Sequence, residues 1–312
     1  MKHLFIINPA AGIKDRSRQY IEEIERVFAE LDEPYEIALT EYPRHATEIA
    51  RAHAAAGAPL RIYSVGGDGT LGEVLAGCYG YRNVELAAYP SGTGNDFIKV
   101  FPGLPFGDLA ALVHGKSETI DILRYNDGVC INIVNCGFDA NVAYNVRRFK
   151  KFMSGNLAYY VSLFYSFLQR ITFRCRVELD GALFYEGRAT LAVAANGRVY
   201  GGGFQAAPKA RVTDGMLDVA VAKGMSRLTV ATFVGKYKAG RHEELSRLLR
   251  TGRARRVRIT SPKPFAMCAD GETTTGNSCT VEVLPAALRF ILPASKTPAA
   301  QGLPQPAPAV FA

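Results

Sequence analysis

Hydrophobic and polar positions alternate along the first third of the chain with two different periods. Leu4–Ile7 is a short, continuous apolar run, the pattern of a strand buried on both faces. Tyr20, Ile21, Ile24, Val27, Phe28 and Leu31 then fall on one helical stripe. The same reading gives a strand at Tyr35–Leu39, a helix at Ala46–Ala56, a strand at Leu60–Val65, a helix at Leu71–Cys78 and a strand at Glu85–Tyr89. This βαβα order predicts a doubly wound α/β unit with a parallel sheet and helices on both sides. Ligands of such sheets lie beyond the carboxyl ends of the strands.

The texture changes after about residue 123. Val177–Phe184 places Asp180-Gly181 between two alternating runs, a hairpin signal. Further strands are expected at Ala189–Ala195, Leu217–Ala222, Arg255–Thr260 and Thr280–Leu284, with helices at Leu157–Leu168 and Leu228–Lys236. The second unit is therefore expected to be mainly antiparallel. The Pro/Ala-rich tail, residues 296–312, is expected to be disordered. No internal repeat is visible.

Composition narrows the class of protein only modestly. The 312 residues are 48% hydrophobic and carry a formal charge of +8, which fits an anionic partner without choosing one. The six cysteines form no C-x-x-C pair and sit in apolar runs, so buried thiols are expected rather than disulfides or a zinc site. No recognised nucleic-acid motif is present. The N-terminal apolar run is too short for a signal peptide, and Leu157–Leu168 is too short to span a bilayer. A cytoplasmic protein, at most peripheral to a membrane, is expected. A homodimer is compatible with all of this.

Chemistry concentrates in the loops that follow the first-unit strands. Gly66-Gly67-Asp68-Gly69-Thr70 ends a strand and opens a helix, so backbone N–H groups can approach a phosphate closely at a favourable dipole. An acid inside such a loop repels phosphate unless a cation intervenes, so Asp68 points to a magnesium nucleotide. Asn8–Gly12 and Pro90–Asn95 repeat the pattern at two other strand ends, the latter with Asp96 behind it. The formal G-x-G-x-x-G at Gly67–Gly72 follows the wrong strand for a dinucleotide fold. Gly115-Lys116-Ser117 lacks the first glycine of a Walker loop, with Ala110 in its place. Taken alone, Asp270-Gly271-Glu272 and Asp214-Gly215 read as turns.

Together, Asn-Pro-x-x-Gly, Gly-Gly-Asp-Gly-Thr, Pro-x-Gly-Thr-x-Asn-Asp and the late Asp-Gly-Glu resemble the catalytic domain of the diacylglycerol kinase family, closest to the bacterial soluble lipid kinases. The likeness runs from about residue 2 to residue 293. It implies an α/β nucleotide-binding domain (residues 1–122 plus 286–295) and a β-rich, β-sandwich-like lipid-substrate domain (123–285), with the active site in the cleft between them and Leu288–Leu292 returning to the first. It further implies ATP contacts from Asn8, Pro9, Ala10, Ala11, Gly12, Thr40, Gly66, Gly67, Asp68, Gly69, Thr70, Leu71, Gly72, Glu73 and Thr93.

By the same resemblance Glu272 is the general base, with Asp270 and Asp68 beside it in catalysis. Asp68, Asp96 and Asp121 hold a catalytic Mg2+ through water, and Asp214 holds a second, structural Mg2+ with the carbonyls of Arg211 and Met216. One departure stands out: the family's usual Asn is Gly72 here. The activity implied is ATP-dependent phosphorylation of a diacylglycerol-like lipid at a membrane surface. A kinase of a soluble alcohol such as NAD, and a non-catalytic nucleotide- or lipid-binding regulator, are the alternatives. The apolar Leu157–Leu168 segment is expected to be a core helix, with lining of the acyl path as a second reading and a basic flank that includes Arg147, Arg148, Lys150, Lys151 and Arg170.

Overall fold

A computed structural model describes residues 1–295 except 13, 93, 150, 151, 153 and 154, and leaves the side chains of 147, 155–160, 163 and 243 undescribed. The expectations for Thr93, Lys150, Lys151 and the Pro/Ala tail fall outside the described residues.

In chain order the first unit runs β1 (Lys2–Ile7), α1 (Ser17–Phe28), β2 (Tyr35–Leu39), α2 (His45–Ala55), β3 (Leu60–Gly66), α3 (Asp68–Cys78), β4 (Val84–Pro90) and α4 (Leu109–Val113). The four strands pair in parallel in the order β2-β1-β3-β4. Leu4–Ile7 is buried throughout, as a strand covered on both faces must be. Helices α2 and α3 pack on each other and α1 packs on α4. The sequence-derived elements of this unit are all present within a residue or two of their expected limits, except that Leu31 of the α1 stripe lies three residues beyond the helix and α3 begins at Asp68, three residues before Leu71.

The second unit contains β5 (Lys116–Tyr125), β6 (Gly128–Cys130), β7 (Ile133–Gly137), α5 (Phe138–Phe149), α6 (Gly155–Leu168), β8 (Phe173–Leu179), β9 (Ala182–Ala195), β10 (Leu217–Lys223), α7 (Arg227–Lys238), β11 (Leu249–Ala254), β12 (Arg256–Ala269) and β13 (Glu272–Leu292). Every strand pair within it is antiparallel. Strands β5, β6, β7 and β11 add to the pattern read from the sequence, and β8 begins four residues before the expected Val177. Asp180-Gly181 forms the two-residue turn of the β8–β9 hairpin with φ of 50° and 86°, the type that Asp-Gly favours.

Strand β13 joins the two units into one hydrogen-bonded sheet rather than two separate ones. Its first half pairs with β12, and after a register break at Leu284/Leu288 its second half reaches β4 at Phe290↔Leu86. Buried Glu85 receives Arg61 Nε and Nη2 at 3.0 and 2.8 Å and also Arg289, so β3, β4 and β13 are locked by one carboxylate. Leu288–Leu292 thus returns to the first unit's core, as expected.

Strand β9 shows why the second unit has two cores. Ala192 and Ala194 face a core between sheet layers, while Leu191, Val193 and Ala195 face a second core under α5 and α7. Helix α6 departs from the sequence expectation. Its Ser162 and Ser166 are buried, with Asn145 Nδ2 donating to Ser166 Oγ at 2.8 Å, whereas Phe164 and Leu168 are 68% and 63% exposed. A polar inward contact pairs α6 to α5 and turns apolar side chains outward. All six cysteines are free and buried.

Candidate active site

Three glycine-bearing loops meet at the carboxyl ends of β1, β3 and β4. Gly12 has φ +87°, and a Cβ there would stand 2.8 Å from the Ser91 carbonyl oxygen. A Cβ on Gly92 would stand 2.6 Å from Gly67 Cα, and one on Gly66 2.3 Å from Thr70 Oγ1. The sequence uses glycine here because the loops touch backbone to backbone. Asn8 Nδ2 donates to Thr70 Oγ1 at 3.0 Å, tying the first loop to the second. Asn8 Oδ1 accepts the Ala10 N–H at 3.0 Å and so shapes the Pro9–Ala11 turn. Thr40 ends β2 alongside, its N–H on the Ile7 carbonyl.

Helix α3 opens at the centre of this cradle with Gly67 as N-cap and no side-chain cap. Its first-turn N–H groups therefore face the loop junction with the positive end of the helix dipole, the arrangement that receives an anion. The Ser91 hydroxyl, buried beside the junction, has no hydrogen-bond partner among the described residues. Leu71 is buried beneath the turn, and the Glu73 carbonyl accepts the Thr47 hydroxyl, which anchors α3 on α2. A side chain on Gly72 would meet open space.

Asp68 and Asp96 lie next to each other under the cradle. Asp68 Oδ1 accepts the N–H groups of Asp96 and Phe97 at 2.7 and 3.3 Å. Burial, and then the Asp96 charge, push the Asp68 carboxyl up, against those N–H groups and Lys99. Asp96 is buried, with Lys99 Nζ at 2.6 Å on Oδ1 and the Gly202 N–H at 2.7 Å on Oδ2. Two adjacent carboxylates with one ammonium leave excess negative charge, and Asp68 Oδ2 carries no hydrogen bond from the protein's described residues. That donor set suits a divalent cation shared with phosphate.

Asp121, buried in β5 where its pairing with β13 shifts register, is held by backbone N–H groups. Its oxygens accept the N–H groups of Ala286 and Gly215 at 2.8 and 2.7 Å, fastening the bend in β13 to the Arg211–Met216 loop. No cluster of three or more His, Cys, Asp or Glu side chains able to hold a metal occurs among the described residues. Asp214 is bonded by Arg253 and accepts the Met216 N–H at 3.1 Å. Arg211 begins this loop and is exposed.

Asp270-Gly271 is the two-residue turn of the β12–β13 hairpin, with φ of 46° and 92°. The buried Asp270 carboxylate accepts the N–H groups of Ile131 at 2.7 Å, Asn132 at 3.2 Å and Ile133 at 2.9 Å. Burial pushes it up to about 6 despite those bonds, and the nearby Asp68 charge adds to the rise. Asp270 thus organises the loop before β7. Glu272, the first residue of β13, is exposed at the rim, near Tyr125 and Cys268.

From Asp68, Asp96 and Asp270 a cavity of about 370 Å³ runs into the second unit. Its walls are apolar: Phe138, Val142 and Val146 of α5, Val230 and Phe233 of α7, and Leu191 of β9. Helix α6 contributes no lining side chain among the described residues, because α5 and α7 cover that face. Sequence reading missed Asp139, Tyr200 and Tyr237, which also line the cavity. Asp139 begins α5 directly after Gly137-Phe138, and nothing in its spacing marks it. It also missed Lys99, whose i,i+3 spacing from Asp96 was the available signal.

The α/β unit, with the uncapped N-terminus of α3 among three glycine-bearing loops, thus opens onto an apolar cavity in the β-rich unit. Residues 2–125 match the diacylglycerol kinase catalytic domain, and residues 132–292 match the YegS C-terminal NAD kinase beta sandwich-like domain. Among curated relatives, the probable lipid kinase YegS-like of Xanthomonas campestris pv. campestris is 32% identical over 254 residues, 78% of this chain and 82% of its own length. The diacylglycerol kinase of Mycobacterium tuberculosis is 31% identical over 244 residues, 74% of this chain and 76% of its own. The crystal structure of a diacylglycerol kinase from Bacillus anthracis shares the fold with TM-score 0.68 and 20% identity, over 93% of this chain and 96% of that one. The chain belongs to the diacylglycerol kinase catalytic-domain family of lipid kinases. No helix among the described residues is long and apolar enough to cross a membrane.

Proposed function

We propose that this chain transfers the γ-phosphate of Mg-ATP to the hydroxyl of a lipid, with a diacylglycerol-like acceptor. One observation carries the reading: the uncapped N-terminus of α3 and the apolar cavity share Asp68 as their common boundary. A phosphate held at the first and a lipid hydroxyl presented from the second would meet there. Residues 1–122 with 286–295 serve as the nucleotide half, and 123–285 as the lipid half.

The first-turn N–H groups of α3, with the Asn8–Gly12 and Pro90–Asn95 loops, hold the phosphates. Asp68 and Asp96 would hold Mg2+, which neutralises charge on the phosphoryl oxygens. Glu272 accepts the acceptor's proton at the rim, a role its exposure and position on the hairpin permit. Asp270 keeps the 131–133 backbone in place around the reacting groups. The largely apolar wall favours this over a soluble-alcohol acceptor, whose polar surface would lose its hydration there without replacement.

Contact with a lipid surface fits the exposed Phe164 and Leu168 of α6 and Leu228 of α7. Arg227 holds these ends together by donating to the carbonyls of Phe167, Leu168 and Gln169. The test is transfer of label from γ-labelled ATP, with Mg2+, to a panel of lipid alcohols and to NAD. Label in the lipid fraction supports the proposal. Label in NAD alone contradicts it.

A further inference from the structure

The cavity wall is apolar except at one place deep within it. There Tyr200 donates to Asp139 Oδ2 at 2.6 Å, the Ala140 N–H donates to Oδ1 at 2.9 Å, and the buried Asn135 side chain also approaches the carboxylate. Each carboxylate oxygen still has acceptor capacity. Tyr237 lies beside them and is only 2% exposed. Its ring is fixed between Phe233 and His242, with centroids at 5.2 Å on each side. Its hydroxyl lies near Tyr200 and feels the Asp139 charge, yet makes no hydrogen bond of acceptable geometry among the described residues.

Buried hydroxyls in native proteins are nearly always paired. An unpaired phenol O–H and a carboxylate with spare lone pairs, side by side in an apolar cavity, are complementary to a group that both donates and accepts. A hydroxyl does both. An ester carbonyl cannot donate to Asp139, and an ammonium cannot accept from Tyr237. We propose that Asp139, Tyr200 and Tyr237 form a second polar subsite that binds a hydroxyl of the acceptor lipid other than the one phosphorylated.

The register sets its depth. Asn135 of β7 pairs with Cys268 of β12, two residues before the Asp270 turn. Asn135, and the subsite it borders, therefore stand one two-residue strand repeat, about 7 Å of backbone, from that turn. The second hydroxyl should stand several carbons along the chain from the first. This inference rests on the lipid-kinase reading but changes its acceptor: diacylglycerol has one free hydroxyl, so a lipid that fills this subsite carries two.

The experiment compares kcat/KM for a long-chain primary alcohol with that for matched alkanediols whose second hydroxyl is placed at successive carbons. The wild type should prefer one diol over the mono-alcohol by about 10- to 100-fold, the range for a hydrogen bond to a charged group. In Tyr237→Phe and in Asp139→Asn that ratio should fall to within about threefold, since a lost hydrogen bond is the whole of the preference. Tyr237→Phe deletes only an unpaired hydroxyl, so its melting temperature should hold or rise. A diol preference that is absent, or that survives both substitutions, overturns the subsite and leaves the lipid-kinase reading intact. So does a Tyr237→Phe protein that melts lower and loses all substrates alike, because the hydroxyl then has a structural partner such as ordered water. Label entering NAD but no long-chain alcohol or diol overturns the lipid-kinase reading and the subsite with it.

Discussion

Substituting Gly92 by alanine tests whether the cradle depends on backbone contact between its loops. The new Cβ would lie 2.6 Å from Gly67 Cα and 3.2 Å from Gly67 N. Carbon atoms in contact settle at about 3.5–4.0 Å, so the loops must part by about 1 Å. Both partners are main chain, so no side chain can turn aside. Overpacking of this kind costs about 1–3 kcal/mol, or about 2–4 °C in melting temperature for each kcal/mol in a domain of this size. The displaced element is the N-cap of α3, so nucleotide affinity should fall along with stability. Gly72→Ala is the internal control. It lies one turn into the same helix with open space around it, and Ala in a helix is favoured over Gly by up to about 1 kcal/mol. The assay is a thermal melt with and without ATP, with ATP affinity by calorimetry. Gly92→Ala should melt lower and bind ATP at least tenfold more weakly, while Gly72→Ala holds or gains stability. Equal ATP affinity in Gly92→Ala and wild type would refute the contact argument.

Other outcomes follow from particular side chains. Asp270→Ala leaves the N–H groups of Ile131, Asn132 and Ile133 without their acceptor; it should lose about 3 kcal/mol or more in denaturant unfolding, with Asp270→Asn intermediate. His3 is buried between Tyr63 and Glu33, and burial holds its pKa below 6.5. The folded state therefore binds fewer protons than the unfolded chain, so its contribution is fully present above pH 6.5 and is lost as pH falls toward the lowered folded value. Melts between pH 8 and pH 5 should fall more steeply in the wild type than in His3→Gln. Arg253 pairs with Asp214, and we assign this pairing as a competitor of a cation for the carboxylate. Arg253→Ala should make the melting temperature rise with added Mg2+ more than it does in the wild type, and equal responses would contradict that assignment.

The first unit was legible in the sequence because its strands are buried on both faces and its helices carry one apolar stripe. Both patterns are local, and the glycine loops between them mark close backbone approach. The second unit was read less completely. The Lys116–Tyr125 strand mixes charged and apolar positions, since one end pairs in each unit. In the Leu157–Leu168 segment the exposed Phe164 and Leu168 are apolar while the buried Ser162 and Ser166 are polar, an inversion that periodicity cannot distinguish from core. For the site, acids flanked by glycine stood out, but their partners did not. Asp121 and Asp270 hold backbone N–H groups, a role set by residues up to 165 positions away. Asp139 acts with Tyr200 and Tyr237, brought together only when α5 and α7 close over the sheet.

The central claim is that phosphate held at α3 is passed to a lipid hydroxyl at Asp68. Its most direct test is the fate of label from γ-labelled ATP in a mixture of Mg2+ and lipid alcohols, for wild type, Asp68→Asn and Glu272→Gln. Label in the organic phase with wild type, reduced at least a hundredfold in both variants that still fold, is the predicted result. Organic-phase label undiminished by Asp68→Asn, or absent with folded, ATP-binding wild type, would contradict it.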